Sequence, residues 1–192
     1  MNPFKTLTGT VIIGFALALI ATALLSTGHG NHIEWTVWIH VIVGIMWVGL
    51  LYYFNFVQMP AVGAALADGT PGPAAINKYV APRALLFFRW AAVLTWVTGA
   101  AALAKMGILH DAFAFKEGAR VIGMGAWLGT IMLFNVWVLI WPNQKKLLGI
   151  VPATDEQKAK AKSIAFIASR LNVALSIPML LGMTAHAHGL PF

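Results

Sequence analysis

The chain has 192 residues, of which 59% are hydrophobic and only 10% charged, with a mean hydropathy of +0.78. Soluble domains carry roughly 25% charged residues, so this composition excludes an ordinary water-covered surface and points to lipid. The formal charge of +7 is spread between apolar runs, which argues against a nucleic-acid footprint; the absence of cysteine excludes disulfides, thiolate metal sites and covalent c-type haem attachment.

A spanning helix needs about 20 apolar residues. Five segments meet that length: 7–26, 35–59, 84–104, 119–141 and 164–187. They predict an all-α integral membrane bundle forming a single membrane domain over 1–192. Lys5 precedes the first segment in the manner of a secretory signal, and the segment is expected as a retained helix. Gly28, Gly30 and Asn31 separate it from the second. Pro60, Gly69, Pro71, Gly72 and Pro73 mark the longest turn region. Trp141-Pro142-Asn143 is expected to end the fourth helix, because proline offers no amide hydrogen. Residues 155–162 read as a charged, amphipathic stretch at the membrane surface. Lys5, Lys78, Arg83, Lys145, Lys146, Lys158, Lys160 and Lys162 fall on one side, against Lys105, Lys116 and Arg120 on the other. Positive charge stays inside, so the N-terminus is expected inside and the C-terminus outside a bacterial-type inner membrane.

This orientation sorts the polar residues by depth. His40, His186 and His188 fall within the outer half, and His29, His32 and His110 in outer loops. The inner half holds Asn55, Gln58, Arg83, Arg89, Asn135, Asn143, Gln144, Arg170 and Asn172. His40, Gly44, Trp47, Leu51, Asn55 and Gln58 recur at helical spacing, as do Asn172, Ser176, Met179, Met183 and His186. Polar stripes in lipid should face the bundle interior. Two histidines at matching depth on inward faces suit the two axial positions of a haem iron. Gly44 would leave room for the macrocycle, and Trp47, Met179 and Met183 would line it. The plainer reading of His40 is a hydrogen-bonded structural histidine. His29 with His32, or His186 with His188, offers copper or zinc as a lesser alternative. Arg89 and Arg170 have no carboxylate in any segment, since Glu34, Asp68, Asp111, Glu117, Asp155 and Glu156 fall in loops. They either snorkel to the surface or meet an anion, such as a haem propionate, a lipid phosphate or a substrate.

Several ordered blocks carry a resemblance. The run His40-Val-Ile-Val-Gly44-Ile-Met-Trp47, continuing to Asn55, is the first. Ala81-Pro82-Arg83 with Arg89-Trp90, Asn135-Val-Trp137 with Trp141-Pro142-Asn143-Gln144-Lys145, Arg170-Leu-Asn172, and Ser176-Ile-Pro178-Met179 follow. Together they resemble the membrane domain of PuuD-type urate hydroxylases. The resemblance implies an oxidoreductase-type membrane module. In that family a C-terminal cytochrome c follows the membrane domain, and the assigned activity is urate oxidation with electrons passed to that cytochrome. With no cysteine here, the acceptor is expected to be a separate cytochrome c or a larger membrane complex. Carried over by position, the matching residues are His40, Trp47, Asn55, Arg83, Arg89, Asn135, Asn143, Arg170, Asn172 and His186, of which Arg89, Asn135, Arg170 and Asn172 are the candidate catalytic residues. A HemJ-like porphyrinogen oxidase and a non-catalytic accessory subunit are the alternatives.

Overall fold

The computed structural model describes residues 2–26, 28 and 32–190. His29, Gly30 and Asn31 lie outside the described residues. The described residues contain helices and turns and no strand. Five stretches are long and apolar enough to cross a membrane: Leu7–Leu25, His32–Asp68, Ile76–Lys105, Arg120–Leu147 and Asp155–His188. The expected all-α, five-span fold is thereby borne out, and the chain is a multi-pass membrane protein. It divides into two compact units, Met1–His32 and Ile33–Phe192.

In the first unit, α1 (Leu7–Leu25) opens on Thr6, whose hydroxyl accepts the Gly9 amide at 3.1 Å. The helix is apolar on all sides and buries none of its residues, a surface that suits lipid all round.

The second unit contains α2 (His32–Tyr52), α3 (Met59–Asp68), α4 (Ala81–Lys105), α5 (Leu109–Phe113), α6 (Arg120–Phe134), α7 (Trp141–Leu147) and α8 (Asp155–His188). Three widened π turns interrupt its spans. Tyr53–Gln58 joins α2 to α3, Ile76–Val80 leads into α4, and Asn135–Ile140 joins α6 to α7. Each is followed by a proline at the second position of the next α-helix: Pro60, Pro82 and Pro142. A proline has no N–H and its ring clashes with the carbonyl four residues back. Those carbonyls belong to Phe56, Lys78 and Val138, each inside a π turn, where the wider ladder separates carbonyl from ring. This corrects two expected boundaries. Pro60 and Pro142 do not end their spans; the helices continue to Asp68 and Leu147.

The charged stretch 155–162 forms the first turns of α8. Thr154 and Gln157 form a reciprocal cap, with side chain-to-backbone bonds of 3.2 and 2.9 Å. Asp155 and Glu156 then sit favourably in the first turn. On the inner faces, Trp47, Leu51, Phe54, Phe88, Met132, Val136 and Met179 form the main core. Helices α6 and α8 approach through glycine. A Cβ on Gly182 would lie 2.8 Å from both the Gly125 nitrogen and the Val121 oxygen, and one on Gly125 would lie 3.3 Å from the Met179 oxygen. Small residues let backbones meet in this way where lipid gives helices little hydrophobic reason to associate.

Candidate functional site

Polar side chains collect at two levels of the second unit. The upper level is built around His40. Its ring lies against Gly99 of α4, where an added Cβ would come within 2.8 Å of His40 Cε1. His40 Nδ1–H donates to the Thr95 carbonyl at 2.8 Å. The Thr98 hydroxyl is 3.4 Å from the same nitrogen and donates to the Leu94 carbonyl at 2.6 Å. A carbonyl only accepts, so this contact fixes the Nδ1–H tautomer and leaves the Nε2 lone pair uncommitted. Gly44, one turn further along α2, faces the Thr95 methyl. Trp47 is 2% exposed, and its indole N–H has no hydrogen-bond partner among the described residues.

The second level is a buried amide layer. Asn135 Nδ2 donates to Asn172 Oδ1 at 2.8 Å, and Asn172 Nδ2 donates to the Met132 carbonyl at 3.1 Å. Asn55 Nδ2 donates to the Leu51 carbonyl and to Ser169 Oγ. Tyr52 and Ser176 share a hydroxyl contact of 2.9 Å. Asn172 and Ser176 are fully buried and Asn55 is 1% exposed. The layer therefore ties α2, α6 and α8 together at the π turns. Two acceptors in it, Asn55 Oδ1 and Gln58 Oε1, have no partner among the described residues.

The structure brings Asn135 and Asn172 into direct contact but separates the two arginines. Arg89 stacks on Trp141, with its guanidinium carbon 3.7 Å from the ring centroid. Arg170 is exposed and lies over Phe166. On α8, Met179 is buried, Met183 packs against the core, and His186 and His188 are exposed. Two sets of contacts indicate which part of α8 lies level with His40. The direct α2–α8 bonds, Asn55 to Ser169 and Tyr52 to Ser176, continue at equal rise per residue to His186. The path through α4 and α6, by His40–Thr95, Trp96–Thr130 and Gly125–Gly182, arrives near Ser176. The stretch of α8 level with His40 thus runs from Ser176 to His186. Among the described residues no group of three His, Asp or Glu side chains gathers as a metal site.

Residues 108–192 match the urate oxidase N-terminal family. Over that stretch the resemblance read from the sequence is borne out. It holds Asn135, Arg170, Asn172, Met179, Met183 and His186, whereas His40, Gly44, Trp47 and Arg89 precede it. No curated protein and no solved structure matches the chain.

Sequence reasoning missed Thr95, Thr98 and Gly99, which receive the His40 ring. Their signal was present as a cluster of two hydroxyls and a glycine within one turn of an otherwise apolar span. It also missed the π turns, which precede Pro60, Pro82 and Pro142.

Proposed function

We propose that the chain is an oxidoreductase-type membrane module related to the urate hydroxylases, holding haem b through His40 and passing electrons to an outer-side cytochrome. The observation that carries this reading is the His40 tautomer. Histidines that ligate metals almost always donate the other ring N–H to a carbonyl or carboxylate, and His40 does so to Thr95. His186 would be the second haem ligand, and Gly44, Trp47, Met179 and Met183 would line the group. The bound haem would supply a one-electron carrier.

The chain's own residues do the remaining work. The Thr95 carbonyl orients the His40 ring and fixes which ring nitrogen carries the proton. Gly99 leaves the space in which the ring packs against α4. Asn135 and Asn172 hold α6 to α8 and so fix the height of Met179, Met183 and His186. The distribution of lysine and arginine favours the N-terminus inside, which puts His40 and the C-terminal end of α8 towards the outer face of a bacterial-type inner membrane. A separate cytochrome c would dock there.

The test is a reduced-minus-oxidised optical spectrum of protein purified in mild detergent. Sharp low-spin haem b bands are expected, lost in His40→Ala and in His186→Ala. A flat spectrum from haem-supplied expression would overturn the reading and leave the accessory-subunit alternative.

A further inference from the structure

The seam between α4 and the α6–α7 span carries a feature that the haem reading does not use. Two cations share one indole at its end. Arg89 stacks on Trp141 at 3.7 Å, and Lys145 Nζ lies 5.9 Å from the same ring. Trp137 Nε1–H donates to the Arg89 carbonyl at 3.3 Å, and Trp137 packs edge-on against Trp90. These contacts hold the guanidinium at the seam. Neither cation has a carboxylate within ion-pair distance among the described residues; the two such pairs are Lys116–Asp111 and Lys158–Asp155. A partly buried cation in a membrane segment costs several kcal/mol unless an opposite charge meets it, and the indole supplies only part of that.

Directly along the seam lies a groove of about 340 Å³ lined by Val93, Trp96, Thr130, Leu133, Phe134 and Trp137. Val93 and Trp96 follow Arg89 by one and two turns of α4, while Trp137 and Leu133 precede Trp141 by one and two turns. The groove therefore runs parallel to the helices, away from the cation pair and into the span. Its lining is apolar, and the Trp96–Thr130 hydrogen bond of 2.9 Å joins the two helices across it. It is open to the outside of the helix bundle.

We propose that this seam binds an anionic phospholipid, with the phosphate between Arg89 and Lys145 and one acyl chain in the groove. The match is in both charge and shape: two unpaired cations at one end of an apolar slot aligned with the bilayer normal. Arginine and lysine recognise a phosphate by charge-assisted hydrogen bonds, and the aromatic walls take the chain. The proposal rests on no assumption about haem.

The test is native mass spectrometry of the intact chain, equilibrated in detergent with equal amounts of phosphatidylglycerol and phosphatidylcholine. Wild type is expected to retain phosphatidylglycerol preferentially. The double variant Arg89→Gln, Lys145→Gln should lose that preference by about tenfold, the size of one charge-assisted hydrogen bond. Leu133→Trp, which fills the groove and leaves both cations, should lower retention of both lipids, while Arg120→Gln should change nothing. If the double variant fails to fold, Lys145→Gln alone should still show a severalfold loss. An unchanged preference in whichever cation variant folds would overturn the proposal. So would displacement of the lipid by millimolar inorganic phosphate, which would assign the cations to a free anion.

Discussion

Replacing Gly182 by alanine tests the packing that sets the height of α8. The new Cβ would stand 2.8 Å from the Gly125 nitrogen and from the Val121 oxygen, and 3.1 Å from Gly125 Cα. All three are backbone atoms of α6, so no side chain can swing aside. The helices must separate by about half an ångström before the contact becomes ordinary. Overpacking of this kind costs about 1–3 kcal/mol, while the better helix propensity of alanine returns up to about 1 kcal/mol. A net loss of about 1–2 kcal/mol is expected. The assay is reversible unfolding in mixed micelles by sodium dodecyl sulfate, followed by far-ultraviolet circular dichroism. Gly129→Ala is the matched control. It lies on the same helix face as Gly125 and is buried, yet a Cβ there meets nothing within 4 Å. It should be neutral or slightly stabilising. If Gly182→Ala is as stable as Gly129→Ala, the close α6–α8 approach is wrong.

The remaining predictions concern other levels of the molecule. Gly99→Val places atoms against His40 Cε1 and Nδ1, so it should weaken haem retention in the optical spectrum by tenfold or more, with the fold kept. Unchanged haem bands would show that the ring does not depend on the Gly99 space. In the turn between α4 and α6, the hydrogen bond from Lys116 holds the Asp111 carboxyl below the usual carboxylate range, and their charges meet at 2.8 Å. The sign follows from the depressed folded value. The contribution is present above the ordinary carboxylate range and disappears as pH falls through the folded value. Melting curves of wild type and Lys116→Met should therefore converge in acid and separate towards neutrality; a constant gap at every pH would refute the pairing.

Much of the fold was legible because lipid imposes one rule: every backbone polar group must be satisfied within its own segment. Long apolar runs then read as helices with little ambiguity, and five were counted correctly. The ends were less legible. Proline signals a stop in water, but at Pro60, Pro82 and Pro142 the chain widens by one residue and continues, because breaking the helix would strand several carbonyls in lipid. The start of α8 was missed for the opposite reason. Its charged first turns look unlike a span, and only the Thr154–Gln157 cap reveals that they belong to it. For the candidate site, spacing placed His40 and Asn55 on one face of the second span, and the structure engages both with neighbouring helices. Spacing could not identify the neighbour. Thr95 and Gly99 lie on α4, and which helix adjoins which is settled by packing of whole faces, not by any local pattern. His186 shows the same limit, since a helical stripe drawn through Met179 and Met183 reaches a side chain that is exposed.

The amide pair Asn135–Asn172 distinguishes a polar layer kept for helix registry from one kept for chemistry. Each amide meets the other's side chain or the α6 backbone, and both are buried. Removing one partner leaves a buried donor or acceptor unmet, which costs about 1–3 kcal/mol. Removing both with apolar residues of similar size leaves nothing unmet and is often close to neutral. Asn172→Leu alone is therefore expected to lose about 1–3 kcal/mol in the micelle unfolding assay, and Asn135→Leu a similar amount. The double Leu variant should be more stable than either, giving a coupling of at least about 1 kcal/mol across the cycle. Additive losses would refute the direct bond. The haem spectrum of the double variant then decides the role. Restored stability with unchanged bands means that the pair positions α8, whereas restored stability with altered bands or lost electron transfer means that the amides act on the site itself.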